Sequence, residues 1–423
     1  MFGRKKYGDA ENYLKLSLKI KLSLLPDNHI HLFATYNSLG CLNKEKEEFL
    51  YAKTNFEKAL SVCSNSESSV KELISAKVNL STVYIVFGEI SKAETILREI
   101  IDLYEKSENI IEYWLTHCYY NIGCLFYLTF KLNKNLLLFD DAQPHISKEA
   151  VSELESSPLR MSDHIENDVI YYLSKALDLF EDREVLSIMR GYYYIGKIYI
   201  SVCDFKSAES SFRKSLENCI KIYGVDSLDT ARVKYMLGFC LQSQNELVEA
   251  EYLYNEALRV FKRNTQEDSH ELADVYNNLS IILLYNGMCE TAYEYAYKAL
   301  LIRREKVGME NIETLRSCFN LAQACRAKGE YEKAVRYYEM VYDFLINHDG
   351  VEGAMLYFSS LMLGNIYDCV YCSNKATNYY LAALKTAYIL YGKDSETTRD
   401  CCVRLIDYCD RNGLDCEQLV GRL

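Results

Sequence analysis

The sequence predicts an all-α fold, a solenoid of antiparallel helix pairs, from three observations: a 42-residue period, small residues in fixed register, and few helix breakers. Shifting the chain by 42 residues superposes Ala208, Ala250, Ala292, Ala334 and Ala376, and likewise Gly196, Gly238, Ser280, Ala322 and Gly364. Small residues at constant spacing let two helices approach closely, so each period reads as one helical hairpin stacked on the next. Only Pro26, Pro144 and Pro158 break long stretches that are otherwise free to be helical. Glycine is placed: Gly224, Gly308, Gly350 and Gly392 lie at multiples of 42 from one another, just past a second helix, where a left-handed C-cap is wanted.

One complete copy is legible at 229–261. Leu237, Gly238 and Leu241 precede a polar break at 243–246, and Ala250, Tyr254, Ala257 and Leu258 resume at helical spacing. This pattern resembles the tetratricopeptide repeat, whose motif asks for a large residue, Leu-Gly, an aromatic, then Ala, a large residue and Ala. Tyr192, Ile195, Gly196, Tyr199, Ala208 and Phe212 fill those places in the copy before it. The long period, Asn277-Asn278-Leu279, Ala292-Tyr293-Glu294-Tyr295 and the stretch 298–303 are similar to kinesin-light-chain and nephrocystin-type arrays. The resemblance covers nearly the whole chain. It implies a right-handed superhelical array whose first helices line a concave groove. No heptad coiled coil precedes the repeats in this sequence, so attachment to a motor chain is not expected.

Taken in order, residues 1–26 present two competing periods. Leu14, Leu16, Leu18, Ile20, Leu22 and Leu24 alternate with polar residues, as in a half-buried strand. Ala10, however, lies 42 before Ala52, and that register reads 1–26 as the second helix of a half repeat. Such a half repeat exposes an apolar face to be covered by a partner, a second copy or an upstream segment. Residues 33–107 hold two units, with Tyr36, Leu39, Gly40, Ala52, Phe56 and Ala59 on the motif in the first and Leu80, Tyr84, Ala93 and Leu97 in the second. Ile100 stands where the second unit wants a small residue, which should loosen its packing. A third unit, 114–180, carries Tyr119, Ile122 and Gly123 in its first helix and Leu173 and Ala176 in its second, split by an insertion at 131–166. Five regular units fill 189–391. Residues 394–423 are a capping helix and tail, with Asp394 or Ser395 as N-cap and an end near Gly413.

The insertion holds Pro144 and Pro158 among Ser, Asp and Glu, the composition of a surface loop. Within it, Leu136-Leu137-Leu138-Phe139-Asp140-Asp141 is an apolar-acidic peptide that a groove of this kind could hold in cis. Ser157-Pro158 is a turn pair that also fits a proline-directed modification site.

A formal net charge of −12 disfavours a phosphate-backbone partner, so nucleic acid is not expected. No apolar run is long enough to span a bilayer, and the basic start, Arg4-Lys5-Lys6, leads into Asp9 and Glu11 instead of a signal core. Sixteen cysteines then read as reduced thiols of a cytoplasmic protein, Cys318 and Cys325 among them at buried helix positions. No phosphate loop, dinucleotide fingerprint, nucleophile elbow or zinc-protease helix is present, so no enzyme activity and no cofactor are expected. His29-Ile30-His31 reads as a turn. Cys369 and Cys372, with Cys401, Cys402 and Cys409 downstream, could converge on a metal, yet a chain this rich in cysteine makes close pairs by chance, and no metal site is assigned.

The stronger signal is a face of the first helices. Arg190, Arg232, Asp274 and Arg316 are each 42 apart on it, accompanied by Lys197, Asn277, Asn278, Asn320, Gln323 and Asn365. Amides suit the backbone of an extended peptide, and guanidinium forks suit its acidic side chains; the competing reading pairs the arginines with Asp274 and neighbouring glutamates. Tyr193 and Tyr235 add amphipathic contact area. With Phe319 they occupy the places where the carboxylate-clamp repeats of co-chaperones carry Lys, so that role is disfavoured. The expectation is a non-catalytic scaffold or adaptor that binds extended acidic or aromatic-acidic segments of proteins. Two alternatives stand beside it: a regulatory sensor whose insertion at 131–166 occludes the groove, and a structural subunit docking through its ends, including self-association through the half repeat.

Overall fold

The computed structural model describes residues 2–46, 48–64, 70–87, 89–105, 112–133, 165–180, 184–348, 353–370 and 375–416. The peptide at 136–141, Ser157-Pro158 and Cys372 lie outside them. All regular structure among the described residues is helical. Contacts divide the chain into two compact units, Met1–Ile222 and Tyr223–Leu423.

The first unit opens with α1 (Phe2–Leu24), where packing overrides the alternating pattern. Leu18 joins a cluster with Leu32, Phe33, Tyr36 and Ala59. The Lys21 ammonium donates to the His31 carbonyl at 3.0 Å and to Thr35 Oγ1 at 2.8 Å. Tyr13, Leu16, Ile20 and Leu24 stay exposed in one stripe. There follow α2 (Phe33–Glu45), α3 (Phe49–Ser64), α4 (Val70–Phe87), α5 (Ile90–Glu105), α6 (Glu112–Asn133), α7 (Ile165–Leu179), α8 (Val185–Ser201) and α9 (Phe205–Tyr223). Helices α2 and α3, α4 and α5, and α6 and α7 pack as pairs, and each pair packs on the next. The third pair closes across the insertion. Ile100, at the position where its repeat lacks the small residue, is fully buried in the core.

The second unit repeats the plan with α10 (Leu228–Ser243), α11 (Leu247–Asn264), α12 (His270–Tyr285), α13 (Cys289–Val307), α14 (Ile312–Ala327), α15 (Tyr331–Ile346), α16 (Gly353–Cys369), α17 (Lys375–Tyr391) and α18 (Glu396–Asn412). Every helix packs on its successor.

Where the small residue of a first helix is glycine, it faces the large residue of the second. A Cβ added to Gly40 would lie 2.5 Å from the Phe56 ring, to Gly196 2.8 Å from Phe212, and to Gly364 2.8 Å from Tyr380. Glycine there is a packing requirement, since those rings are themselves buried and cannot withdraw.

Three corners between helices carry one device, and Gly350 of the expected series lies outside the described residues. Gly308 ends α13 with φ at +82°, Asn311 caps the N-terminus of α14, and Thr314 Oγ1 donates back to the Gly308 carbonyl at 2.7 Å. Gly224, Ser227 and Thr230 build the same corner, as do Gly392, Ser395 and Thr398, with threonine bonds of 2.7 and 2.8 Å. All three threonines are buried. Each hydroxyl thus satisfies a carbonyl that the helix end leaves open.

Candidate functional site

In the second unit the predicted face lies on α10, α12 and α14, and its charges are joined to one another. Arg232 on α10 donates from Nη2 to Glu271 Oε1 on α12 at 2.9 Å and lies 3.6 Å from Asp229. Asp274 on α12 is ion-paired with Arg303. Arg303 also lies 3.4 Å from Glu313 on α14, and Glu313 accepts from Arg316 at 2.7 Å. Arg232 and Arg316, two of the three arginines that suggest an acidic ligand, therefore have carboxylate partners inside the chain. Burial works to raise the Glu271 carboxyl, but hydrogen bonding from Arg232, with the charges of His270 and Arg232, brings it below its ordinary range.

The amides divide. Asn278 Nδ2 donates to the Tyr235 hydroxyl at 3.2 Å, linking α12 to α10. Burial first, and the nearby Asp274 carboxylate second, push that phenol far above its usual value, so it stays protonated. Asn277 is buried, and its Oδ1 has no hydrogen-bond partner among the described residues. Asn320 is also buried, whereas Gln323 is partly exposed. Asn365 Oδ1 accepts from the Tyr380 hydroxyl at 3.0 Å, which commits it to the α16–α17 pair.

In the first unit Arg190 is exposed on α8. Tyr193, half-buried, meets the Phe212 ring edge-on at 5.6 Å, and the Lys197 ammonium sits 5.5 Å above the Tyr193 ring. This is a cation–π contact that covers part of the aromatic surface.

Two features escaped the sequence reading. Arg303 is a second-helix residue, 7% exposed, whose Nη1 donates to the Glu313 carbonyl at 2.7 Å and to Ser317 Oγ at 3.0 Å. It enters between α12 and α14. The available signal was register: Phe261, Leu345 and Ala387 stand at the same phase, and an arginine in an apolar series is an anomaly to explain. The second feature is a polar ladder in the first unit, where Asn79 Nδ2 donates to Asn37 Oδ1 at 3.0 Å and Asn121 Nδ2 to Thr82 Oγ1 at 3.1 Å. It ties α2 to α4 and α4 to α6. Asn37 and Asn79 are 42 residues apart, as are Asn79 and Asn121, and that period was there to be read.

Among the described residues no group of His, Cys, Asp and Glu is arranged to hold a metal. Cys369 is exposed, while Cys401 is buried with its thiol 3.5 Å from the Tyr357 hydroxyl. His29 has a structural part: its Nδ1 accepts from the His31 backbone N–H at 3.2 Å and caps a short 3-10 turn. No helix among the described residues is long and apolar enough to cross a membrane.

Residues 187–263 and 271–347 match the model of the tetratricopeptide repeat. No curated protein sequence matches the chain. Among solved structures it is similar to the apo form of RapI, with 12% identity, 92% of this chain and 95% of that one covered, and a TM-score of 0.57. It is also similar to the apo form of the quorum sensor NprR from B. thuringiensis, with 14% identity, 90% and 97% covered, and a TM-score of 0.50. Kinesin light chain-type repeats from Podosopora anserina align with 16% identity over 48% of this chain and 97% of theirs, at a TM-score of 0.40. At these identities the likeness concerns the fold alone.

Proposed function

We propose, starting from a chain that is a tetratricopeptide-repeat protein, that it is a non-catalytic scaffold whose first helices grip an extended acidic segment of a partner protein. The observation that carries this reading is the charged series Arg232–Glu271 and Asp274–Arg303–Glu313–Arg316 across three successive first helices of the second unit. A guanidinium carries five N–H donors in a planar fork. An arginine already oriented by an internal carboxylate therefore still accommodates another in a fixed direction. Pre-orientation lowers the entropy lost on binding. Asn278, held by Tyr235, and Gln323 supply amides for a peptide backbone in the same unit, and Arg190, Tyr193 and Lys197 offer the same residue types on α8 of the first.

The test is selection from a random peptide display library, followed by anisotropy titration of the selected sequences. Enrichment of Asp and Glu is expected, with affinity falling at least ~10-fold in the Arg232→Gln, Arg316→Gln double variant, the scale of one charge-assisted hydrogen bond. The variant must keep the helical content of the parent and remain folded at the assay temperature. Peptides without acidic enrichment, or binding indifferent to the double change, would leave these arginines as structural ion pairs only.

A further inference from the structure

The end of the second unit gathers three thiols. Cys402 and Cys409 lie two turns apart on α18 and so share one face of it. Gly413 then adopts a left-handed conformation, and the Leu414 N–H bonds to the Cys409 carbonyl at 2.9 Å, turning the chain back along the helix. That reversal returns Cys416 to the helix side, where it packs with Cys402 against the cluster that holds Tyr357, Leu405, Tyr408 and Cys409. Exposure is graded across the set: Cys409 is fully buried, and Cys402 and Cys416 are partly exposed.

We propose that Cys416 and Cys409 form a peroxide-responsive dithiol, in which the partly exposed Cys416 is oxidised first and the buried Cys409 resolves it to a disulfide. A water-borne oxidant reaches Cys416 far more readily than a thiol held in the core, and a resolving thiol in the cluster against which Cys416 packs lies close at hand. In the first step the Cys416 thiolate attacks one peroxide oxygen. An S–O bond forms, the O–O bond breaks, and the departing hydroxide takes up a proton as water, leaving a sulfenic acid. In the second step the Cys409 sulfur attacks the Cys416 sulfur. The S–S bond forms, the S–O bond breaks, and the hydroxide leaves with the Cys409 proton as a second water. Two thiols are oxidised and one hydrogen peroxide is reduced. The product ties the chain after Gly413 to the last helix of the array.

Trypsin separates the three thiols, since Arg404 and Arg411 place Cys402, Cys409 and Cys416 on different peptides. The full chain is treated with hydrogen peroxide, free thiols are blocked with N-ethylmaleimide after denaturation, and the digest is read by mass spectrometry. The expected result is one disulfide-linked pair joining the Cys409 and Cys416 peptides, while Cys401 is alkylated. In Cys409→Ser the Cys416 sulfenic acid should persist and be trapped by dimedone; in Cys416→Ser, Cys409 should remain reduced. A link from Cys416 to Cys402 or Cys369, oxidation of Cys409 in the Cys416→Ser chain, or alkylation of both thiols after peroxide would each overturn the assignment. Unchanged helical content in both variants assures that the readout comes from the folded protein.

Discussion

Arg303 sits at a position where the neighbouring units carry Phe261, Leu345 and Ala387, and it is the residue on which the charges of the second unit converge. Its guanidinium bonds to the Glu313 carbonyl and Ser317 and pairs with Asp274 and Glu313. Removing it strands the partly buried Asp274 carboxylate, while Glu313 keeps Arg316, and a stranded charge costs more than the pair contributes. Asp274 and Glu313 keep 35% and 25% of their side-chain exposure, so solvent discounts the penalty. Arg303→Ala should lower stability by about 2–3 kcal/mol, measured by urea unfolding. Arg303→Met combined with Asp274→Asn should recover most of that loss by restoring an apolar fill without a stranded charge; a double variant no better than Arg303→Ala would contradict the ion-pair account. Residue by residue, the candidate face was legible only in part. The period placed Arg232, Asp274 and Arg316 correctly on first helices, because first-helix phase depends on local spacing. Their partners were not legible. Glu271, Arg303 and Glu313 are fixed by how helices meet in space, and nothing in a one-dimensional period states that Asn277 and Asn320 turn inward while Gln323 stays partly exposed.

At the scale of the element, two local devices hold the hairpins and can be tested separately. The first is the small-to-large contact within a pair: adding a methyl group at Gly196 drives Cβ to 2.8 Å from the Phe212 ring. Gly196→Ala should therefore cost about 1–3 kcal/mol, even though alanine is the better helix former by ~1 kcal/mol. Phe212→Leu added to it should relieve the clash, and a Gly196→Ala chain as stable as the parent would show that the pair can spread instead. The second device is the Gly–Ser/Asn–Thr corner. Thr314→Ala leaves the Gly308 carbonyl unsatisfied in a buried corner and should cost about 1–2 kcal/mol, with Thr314→Ser retaining most of it; equal losses for Ala and Ser would point to the methyl group and not to the hydroxyl. The helix pairs were readable because alanine and glycine mark the closest approaches at constant phase. The corners were legible only in Gly224, Gly308, Gly392 and the Ser395 cap, since the threonine bonds that close them run from side chain to backbone, which a period does not state. Alternation misdirects in α1 for a related reason: Leu18 and Lys21 are fixed by what they touch on the following turn and helix, and a two-residue period carries no information about that contact.

The whole molecule joins two sets of titrating groups that limit its stability from opposite sides. On the acid side, hydrogen bonds from lysine hold Glu11 and Asp268 below their ordinary values, and hydrogen bonds from Lys53 and Lys92 do so for Glu89 against its burial. Glu271 behaves in the same way through Arg232. A carboxyl depressed in the folded state contributes stability above its unfolded pKa, about 4, and that contribution is lost as pH falls through the folded value, because the unfolded chain then binds more protons. On the alkaline side, burial pushes Cys318 up to about 12 and Cys325 up to about 11, and raises the phenols of Tyr338 and Tyr380. A group raised in the folded state contributes fully below its unfolded pKa, about 8.5 for a thiol. That contribution disappears as pH climbs toward the folded value, since only the unfolded chain has shed the proton. The urea midpoint, measured in reducing buffer, should therefore stay level between about pH 5.5 and 8 and fall on both sides. Cys318→Ala and Cys325→Ala together should flatten part of the alkaline limb and leave the acid limb unchanged, whereas Arg232→Gln should flatten part of the acid limb alone. A midpoint that keeps rising past pH 9, or an acid limb unaffected by Arg232→Gln, would mean that the buried thiols or the Glu271 pair do not set these limits.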